Sequence, residues 1–139
     1  MNNDNSVALS KYRLEKSKEC LKSAKALRDI DDYQGAANRS YYAIYHAIRS
    51  ILALDGVEFK RHSGNMSYFR QNYIKKGLFD VELSNYMSSA SETRNSSDYD
   101  DFYVISKEEV NKEIKNAEKL CDDINAYIEK RLNEQEENQ

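Results

Sequence analysis

The chain has 139 residues, of which 32% are charged, and its formal net charge is −3. This length suits one domain with its own hydrophobic core, and so small a net charge gives no overall attraction to nucleic acid or to an anionic membrane. No apolar run reaches the roughly 18 residues of a membrane span, and the polar first residues lack the charged-then-apolar order of a signal peptide. We therefore expect a cytoplasmic protein without membrane contact, in which any contact with RNA is local.

The two cysteines, Cys20 and Cys121, lie about a hundred residues apart within amphipathic patterns and not in a Cys-x-x-Cys spacing. Buried free thiols are the expectation, because a buried cysteine behaves as a small hydrophobic side chain; a disulfide or a reactive thiol is the alternative. No group of histidines and cysteines has the spacing of metal ligands, and no glycine-rich phosphate loop occurs. We predict no metal and no cofactor.

The positions of proline and glycine indicate an all-helical protein, since the chain contains no proline and its four glycines fall near the ends of proposed helices. The first helix is predicted over residues 7–29 and the second over residues 32–54. Asp32 is the predicted N-cap of the second helix, and Gly56 supplies its C-terminal cap. A third, shorter helix follows from the cap residue Ser63.

The second half of the chain predicts two more helices. Asp80 caps a fourth helix, whose apolar side continues into Arg94, a cation that needs a partner or a ligand in that position. Residues 95–98 are predicted as fraying polar chain and residues 99–105 as an ordered aromatic loop. Ser106 opens the fifth helix with the Ser-x-x-Glu form of a capping box. The inward-facing residues of the fifth helix are spaced three and four apart: Val110, Ile114, Ala117, Cys121, Ile124 and Ile128.

These patterns predict an all-α protein, an antiparallel up-and-down helical bundle of four long helices plus one short helix. A single domain is predicted over residues 7–132. Residues 133–139 contain no apolar side chain and are predicted to form a disordered acidic tail.

The second helix has two faces that both differ from an ordinary solvent-exposed surface. One is an apolar core stripe with a period near 3.6 residues: Ala37, Tyr41, Ile44, Ile48, Ile51 and Leu52. The other carries arginine, small residues and aromatic rings where lysine and glutamate are usual: Arg39, Tyr42, Ala43, His46 and Ala53. Because a helix of this kind is buried on both sides, we predict that its second face meets a partner subunit or a ligand site.

Four segments carry a resemblance to a known family: residues 38–47 (NRSYYAIYHA), 60–64 (KRHSG), 94–99 (RNSSDY) and 102–103 (FY). In this order and at these distances they resemble HEPN-domain proteins of bacteria and archaea, and the resemblance extends over about residues 9–128. It implies a helical bundle that forms dimers and is often encoded beside a minimal nucleotidyltransferase, the two acting as toxin and antitoxin.

The resemblance also implies a catalytic motif. Active members of the family are metal-independent ribonucleases whose motif is an arginine, a polar residue, a few further residues and a histidine. By this resemblance Arg94 is the motif arginine and Asn95 is the polar residue. Tyr99 occupies the histidine position, five residues after Arg94, and no histidine follows His62. A phenol is a poor general base at neutral pH, although an arginine can still stabilise a phosphorane, so the enzyme question stays open.

Other basic residues are candidates for binding RNA or a nucleotide. Arg39, Tyr42 and His46 form either a polar network at a dimer interface or part of a binding surface. His46 would serve as a catalytic base if it reached the cleft beside the motif arginine. Arg61 and His62 lie near the start of the third helix, where they are either loop residues or phosphate contacts.

The leading hypothesis is a HEPN-type toxin or RNA-directed effector, a metal-independent endoribonuclease that acts as a homodimer. The resemblance implies control by a nucleotidyltransferase that attaches a nucleotide to a tyrosine near the catalytic motif, for which Tyr99 and Tyr103 are the candidates. Two alternatives are a non-catalytic module that binds nucleotide or RNA, or docks a nucleotidyltransferase, and a purely structural dimer. The absent motif histidine favours the alternatives, whereas Arg94 at the end of an apolar face favours an enzyme or a binding module.

Overall fold

A computed structural model describes residues 4–137 and contains five α-helices. They are α1 (Asp4–Asp29), α2 (Tyr33–Leu54), α3 (His62–Phe69), α4 (Glu82–Tyr99) and α5 (Lys107–Glu137). A π-helical turn, Arg70–Ile74, continues α3. No strand occurs within the described range, and the predicted all-α fold is confirmed.

The long helices that follow one another in the chain pack in opposite directions. Arg13 of α1 donates to the carbonyl oxygen of Arg49 in α2, whereas Ser17, one turn later in α1, donates to that of Ala43, one to two turns earlier in α2. Helices α4 and α5 pair in the same antiparallel manner. Helix α2 packs against α1, α4 and α5, so it lies at the centre of the bundle.

Helix α2 is buried on nearly every side, and its own chain supplies most of the cover. Every residue of the predicted core stripe is at most 4% exposed. Ala43 and Ala53, on the second face, are also buried within the chain. Arg39, Tyr42 and His46 are half-buried at the surface. Of the predicted second face, only these three residues therefore remain accessible to a partner or a ligand.

Local capping explains where two of the helices begin. The N–H of Gly35 donates to Oδ1 of Asp32 over 2.9 Å, which confirms the predicted N-cap of α2. At the start of α5 the N–H of Glu109 donates to the Ser106 hydroxyl over 3.1 Å, as the capping box predicts. After the last turn of α2, Gly56 has a φ of 68°, a left-handed conformation that glycine adopts without steric strain.

The predicted cap of the third helix is wrong. Helix α3 begins at His62, before Ser63, and no side chain caps its first turn. The turn that precedes it is closed instead by Asn65, whose amide oxygen accepts the N–H of Phe59 and whose amide nitrogen donates to the Tyr45 hydroxyl of α2. A tertiary contact with α2 thus sets the start of this short helix.

Helix α4 is longer than predicted. Its N-cap position is Val81 rather than the predicted Asp80, and the Val81 side chain makes no capping hydrogen bond; Oδ1 of Asp80, one residue earlier, accepts the N–H of Glu82 over 3.0 Å. Residues 95–98 are helical rather than frayed, because Ser97 is buried and its carbonyl oxygen accepts a hydrogen bond from Gln34 in α2. Packing against α2 therefore stabilises a polar turn that the local sequence does not favour.

Helix α5 extends past the predicted end of the domain. Residues 133–137 are helical, which corrects the prediction of a disordered tail over that part. Glutamate and glutamine have high helix propensity, so a polar segment without a core contact continues a helix that is already formed. Residues 138–139 of the predicted tail lie outside the described residues.

The predicted inward face of α5 is confirmed, since its six residues are all at most 5% exposed. Cys20 and Cys121 are buried free thiols, as predicted, and burial raises the pKa of Cys121 to about 12. Within the described part of the chain, no helix has the length and apolar character needed to pass through a membrane.

Candidate functional site

Arg94 lies where α4 packs on α2, held between aromatic rings. Its guanidinium carbon is 4.9 Å from the ring centroid of Tyr41 and 5.3 Å from that of Tyr42. Nη2 donates to the Tyr42 hydroxyl over 3.3 Å, and Nε lies 3.6 Å from a carboxylate oxygen of Asp98 one turn further along α4. The side chain is 20% exposed, so the cation is fixed in position and still reachable from solvent.

His62 approaches the same aromatic rings from a different helix. Its Nδ1 is 2.9 Å from the Tyr41 hydroxyl, and its ring centroid is 4.0 Å from that of Tyr45. Burial, and then the positive charges of Arg94 and Arg49, lower the pKa of His62, so the imidazole is neutral at pH 7. Helix α3 therefore places a neutral imidazole and α4 places a guanidinium on the Tyr41 side chain of α2.

Tyr41 connects these two groups. Burial, more than any other cause, raises its pKa to about 12, so it is a neutral phenol under physiological conditions. The sequence pattern assigns Tyr41 to the core stripe, and the side chain is indeed buried, yet its hydroxyl bonds His62 at the edge of the site. A buried tyrosine hydroxyl needs a hydrogen-bond partner, and that requirement is the one sequence signal that could have placed it in the site.

The surface of α2 next to Arg94 carries the residues that the sequence marks as candidates for binding. The guanidinium carbon of Arg39 is 5.2 Å from the Tyr42 ring centroid, and the His46 ring centroid is 6.0 Å from it. Nδ1 of His46 is buried and has no hydrogen-bond partner among the described residues. The structure thus places four predicted site residues around the rings of Tyr41 and Tyr42, and Tyr42 is itself a fifth predicted site residue. The four are Arg39, His46, His62 and Arg94.

Positive charge exceeds negative charge on this side of α2. The Glu58 carboxylate accepts hydrogen bonds from both Arg13 and Arg49, so two guanidinium groups share a single negative charge. Arg39 donates to the amide oxygen of Asn38 and has no carboxylate within ion-pair distance among the described residues. Partly exposed guanidinium groups without full charge compensation suit the recognition of phosphate.

The remaining predicted site residues are not part of this cluster. Asn95 and Tyr99 are exposed, and no contact joins either of them to Arg94 in the part of the chain that the structure describes. The Tyr103 hydroxyl donates to Glu109 over 2.8 Å, away from the site. Arg61 is exposed at the residue before α3.

Within residues 4–137, no three histidine, cysteine, aspartate or glutamate side chains are grouped so that they could hold a metal ion. The cluster itself presents a fixed cation, a neutral imidazole, and aromatic rings at a solvent-accessible edge.

Comparison with known proteins identifies relatives of this chain. A family model described as the HEPN domain matches residues 10–127. A UPF0332 protein of Thermotoga maritima is 31% identical over 118 residues, which are 85% of this chain and 89% of that protein. A protein of Methanocaldococcus jannaschii that is named "Putative toxin" is 32% identical over 96 residues, 69% of this chain and 65% of that protein. A second protein with that name, from the same archaeon, is 27% identical over 86 residues, which cover 62% and 64% of the two chains.

Proposed function

Because this chain belongs to the HEPN domain family, we propose that it is a toxin-type, RNA-directed effector, a metal-independent endoribonuclease controlled by a nucleotidyltransferase. The toxin role is supported by the names of two archaeal relatives. The observation that carries the proposal is Arg94, held by Tyr41 and Tyr42 within reach of solvent, with a second guanidinium, that of Arg39, on the Tyr42 ring.

The proposed reaction is the attack of a ribose 2′-hydroxyl on the adjacent phosphorus. The 2′-oxygen forms a bond to phosphorus while the bond from phosphorus to the 5′-oxygen breaks, and negative charge gathers on the non-bridging oxygens. A guanidinium that is already positioned stabilises this charge without reorganisation, and its planar fork of donors matches the geometry of a phosphate. Arg94 is the group that we assign to this task.

RNA would lie along the half-buried side of α2. The Arg39 guanidinium is available to a phosphate, and the half-buried Tyr42 and His46 rings lie beside it at the surface, where an unstacked base would pack. Arg61, exposed at the residue before α3, would be a further phosphate contact. We propose that two copies of the chain meet on this side of α2, so that the RNA occupies the cleft between them.

Control by a nucleotidyltransferase would act on Tyr99. This side chain is 78% exposed at the end of α4, at the residue directly after Asp98, whose carboxylate pairs with Arg94. The alternative acceptor, Tyr103, has its hydroxyl engaged by Glu109. A nucleotidyl group would bring negative charge and bulk close to Arg94 and compete with RNA phosphates for that cation.

The first experiment compares RNA cleavage by the purified protein and by its Arg94→Ala variant, with a chelator present. We expect the wild-type protein to cleave mixed RNA and the variant to be slower by about 100-fold or more, because a preorganised cation is lost from the transition state. Arg28→Ala is the matched control, since Arg28 forms an exposed ion pair with Asp29 on α1. Cleavage by Arg94→Ala at the wild-type rate would show that Arg94 is not the motif arginine.

One specific feature supports a second function. Tyr99 stands at the position of the motif histidine, and this would suit a non-catalytic module that binds RNA or nucleotide in the same place. In that case the protein would retain labelled RNA on a filter without shortening it, and Arg94→Ala would weaken retention. RNA binding without cleavage would thus replace the enzyme proposal by the binding-module proposal.

A further inference from the structure

The proposed ribonuclease lacks a base at the usual place in the sequence. Tyr99 follows Arg94 by five residues, is exposed at the end of α4 and makes no contact with Arg94 among the residues described. Yet a histidine does stand at the Arg94 cluster, and it comes from the helix before α4. That residue is His62, the first residue of α3.

We propose that His62 is the general base of this site and supplies from α3 the imidazole that the segment after Arg94 lacks. The inference rests on the proposed ribonuclease function and adds to it the identity of the residue that moves the proton. Tyr41, which bonds the His62 ring without reaching the substrate, is then a positioning residue.

The geometry of His62 suits this role. Tyr41 engages Nδ1 over 2.9 Å, the Tyr45 ring packs on one side of the imidazole, and Nε2 has no hydrogen-bond partner among the described residues. Asn65, one turn further along α3, donates to the Tyr45 hydroxyl over 2.7 Å and so holds the stacking ring in place. When the proton is on Nδ1, Nδ1–H donates to the Tyr41 oxygen and leaves the Nε2 lone pair for a substrate hydroxyl.

The same phenol also determines where Arg94 lies relative to His62. The guanidinium carbon of Arg94 is 4.9 Å from the Tyr41 ring centroid, and the His62 ring centroid is 6.0 Å from it. The Arg94 guanidinium and the His62 imidazole therefore both lie against the side chain of Tyr41. This side chain is held in place because it belongs to the buried core. A phosphate held by Arg94 would bring its neighbouring 2′-hydroxyl to the imidazole side of that ring.

The protonation state supports His62 over the other histidine. The lowered pKa leaves His62 neutral at pH 7, and it is only half-buried. Burial and four neighbouring cations lower the pKa of His46 to about 4, which makes it a poor general base at neutral pH. Nδ1 of His46 is also shut away from solvent, and no contact joins that ring to Arg94 in the described part of the chain.

The proton balance of the step is complete within the site. Nε2 of His62 accepts the proton of the 2′-hydroxyl while the 2′-oxygen bonds to phosphorus. The bond from phosphorus to the 5′-oxygen breaks, and the imidazolium returns the proton to that leaving oxygen. The products are a 2′,3′-cyclic phosphate and a 5′-hydroxyl, and no further reactant is consumed.

The test measures cleavage of an end-labelled oligoribonucleotide of mixed sequence by the full chain and its variants. We expect His62→Ala to lower the cleavage rate by about 100-fold or more. Added imidazole should raise the rate of this variant at least about tenfold, because the free base occupies the space that the side chain leaves. Arg94→Ala should be equally slow but insensitive to imidazole. Gln71→Ala, on the exposed surface of the π-helical turn, is the control that keeps the wild-type rate.

A second variant separates catalysis from folding. His62→Gln retains a polar side chain of similar size without a titratable nitrogen, so it should fold with a wild-type thermal transition and still cleave slowly. A wild-type cleavage rate in His62→Gln would overturn the role of His62, and so would a loss of rate in His62→Ala that imidazole does not restore. In either case, cleavage that depends on Arg94 would still support the ribonuclease proposal. No cleavage by the wild-type protein would instead overturn both proposals.

Discussion

At the scale of single residues, His46 on the surface of α2 lies in an environment that disfavours its protonated form. Its ring is half-buried, its Nδ1 has no hydrogen-bond partner among the described residues, and four cations face it. Arg39 and Arg49 come from α2 itself, whereas Arg13 and Lys16 come from the adjacent α1. Burial of the ring, and then the positive charge of these four neighbours, disfavour the imidazolium, and this is why the neutral form is favoured in the folded state.

The consequence for stability follows from the sign of that shift. The folded-state pKa of about 4 lies below the ordinary value of 6.5, so between these two pH values the unfolded chain binds more protons than the folded chain. The free energy of unfolding should therefore fall as the pH falls from about 6.5 to 4. Relative to His46→Gln, the wild-type protein should lose about 1–3 kcal/mol over that window, a range reduced for the partial exposure of the ring.

Urea unfolding of both proteins at pH 7 and pH 4 measures this difference. Carboxylates that titrate in the same window affect both proteins alike and cancel in the comparison. Equal losses of stability in the two proteins would show that His46 is not held in its neutral form.

At the scale of elements, the start of α2 depends on a close approach between two residues. Gly35 donates its N–H to the Asp32 carboxylate over 2.9 Å, and a Cβ atom built at position 35 would lie 2.5 Å from the other carboxylate oxygen. Glycine is normally unfavourable inside a helix by up to about 1 kcal/mol relative to alanine. Here the missing Cβ leaves room for the cap.

A double-mutant cycle tests this coupling. Asp32→Ala alone should lower the free energy of unfolding by about 1 kcal/mol, since the cap is lost. Gly35→Ala should bring no gain in the wild-type background, because the methyl group displaces the Asp32 carboxylate, but should stabilise the Asp32→Ala protein by about 0.5–1 kcal/mol. Thermal and urea unfolding would reveal a coupling near 1 kcal/mol, whereas strictly additive effects would contradict this account.

At the scale of the whole molecule, the half-buried side of α2 is the surface through which we expect the chain to self-associate. Sedimentation at micromolar concentration should give twice the 16.2 kDa mass of one chain. Arg39→Glu should shift the protein toward the monomer, because it reverses a charge within the surface that we propose the two copies share. Lys11→Glu, on the exposed side of α1, makes the same change of charge and should leave the dimer intact. A wild-type protein that sediments as a monomer would contradict the homodimer.

The candidate site also depends on how the whole bundle is packed. Arg94, His62 and Tyr41 belong to three different helices that meet only in the folded bundle. A change in the packing of α3 or α4 on α2 would therefore separate the guanidinium from the imidazole without touching either. Each activity measurement on a site variant accordingly needs a thermal transition measured on the same preparation.

Much of this protein can be predicted from the amino-acid sequence alone. The three- and four-residue spacing of apolar side chains in α5 predicts its buried face, since that spacing matches the helical period. The caps at Asp32 and Ser106 follow from local hydrogen bonding between residues three apart. The order of four short segments is enough to indicate the HEPN family. The sequence also marks Arg94 and three residues of α2 as candidate site residues: Arg39, Tyr42 and His46.

Only the tertiary structure decided the features that depend on contacts between distant segments. Gln34 bonds the carbonyl oxygen of Ser97, and so residues 95–98 form a helix where the local sequence predicts fraying. The Tyr41 hydroxyl bonds His62, 21 residues further along the chain, and so a residue assigned to the core borders the candidate site. A periodic pattern shows which face of a helix is buried but not which polar group from another helix meets it there. For that reason the sequence predicted the helices, and the packing of α3 and α4 on α2 decided which histidine stands beside the arginine.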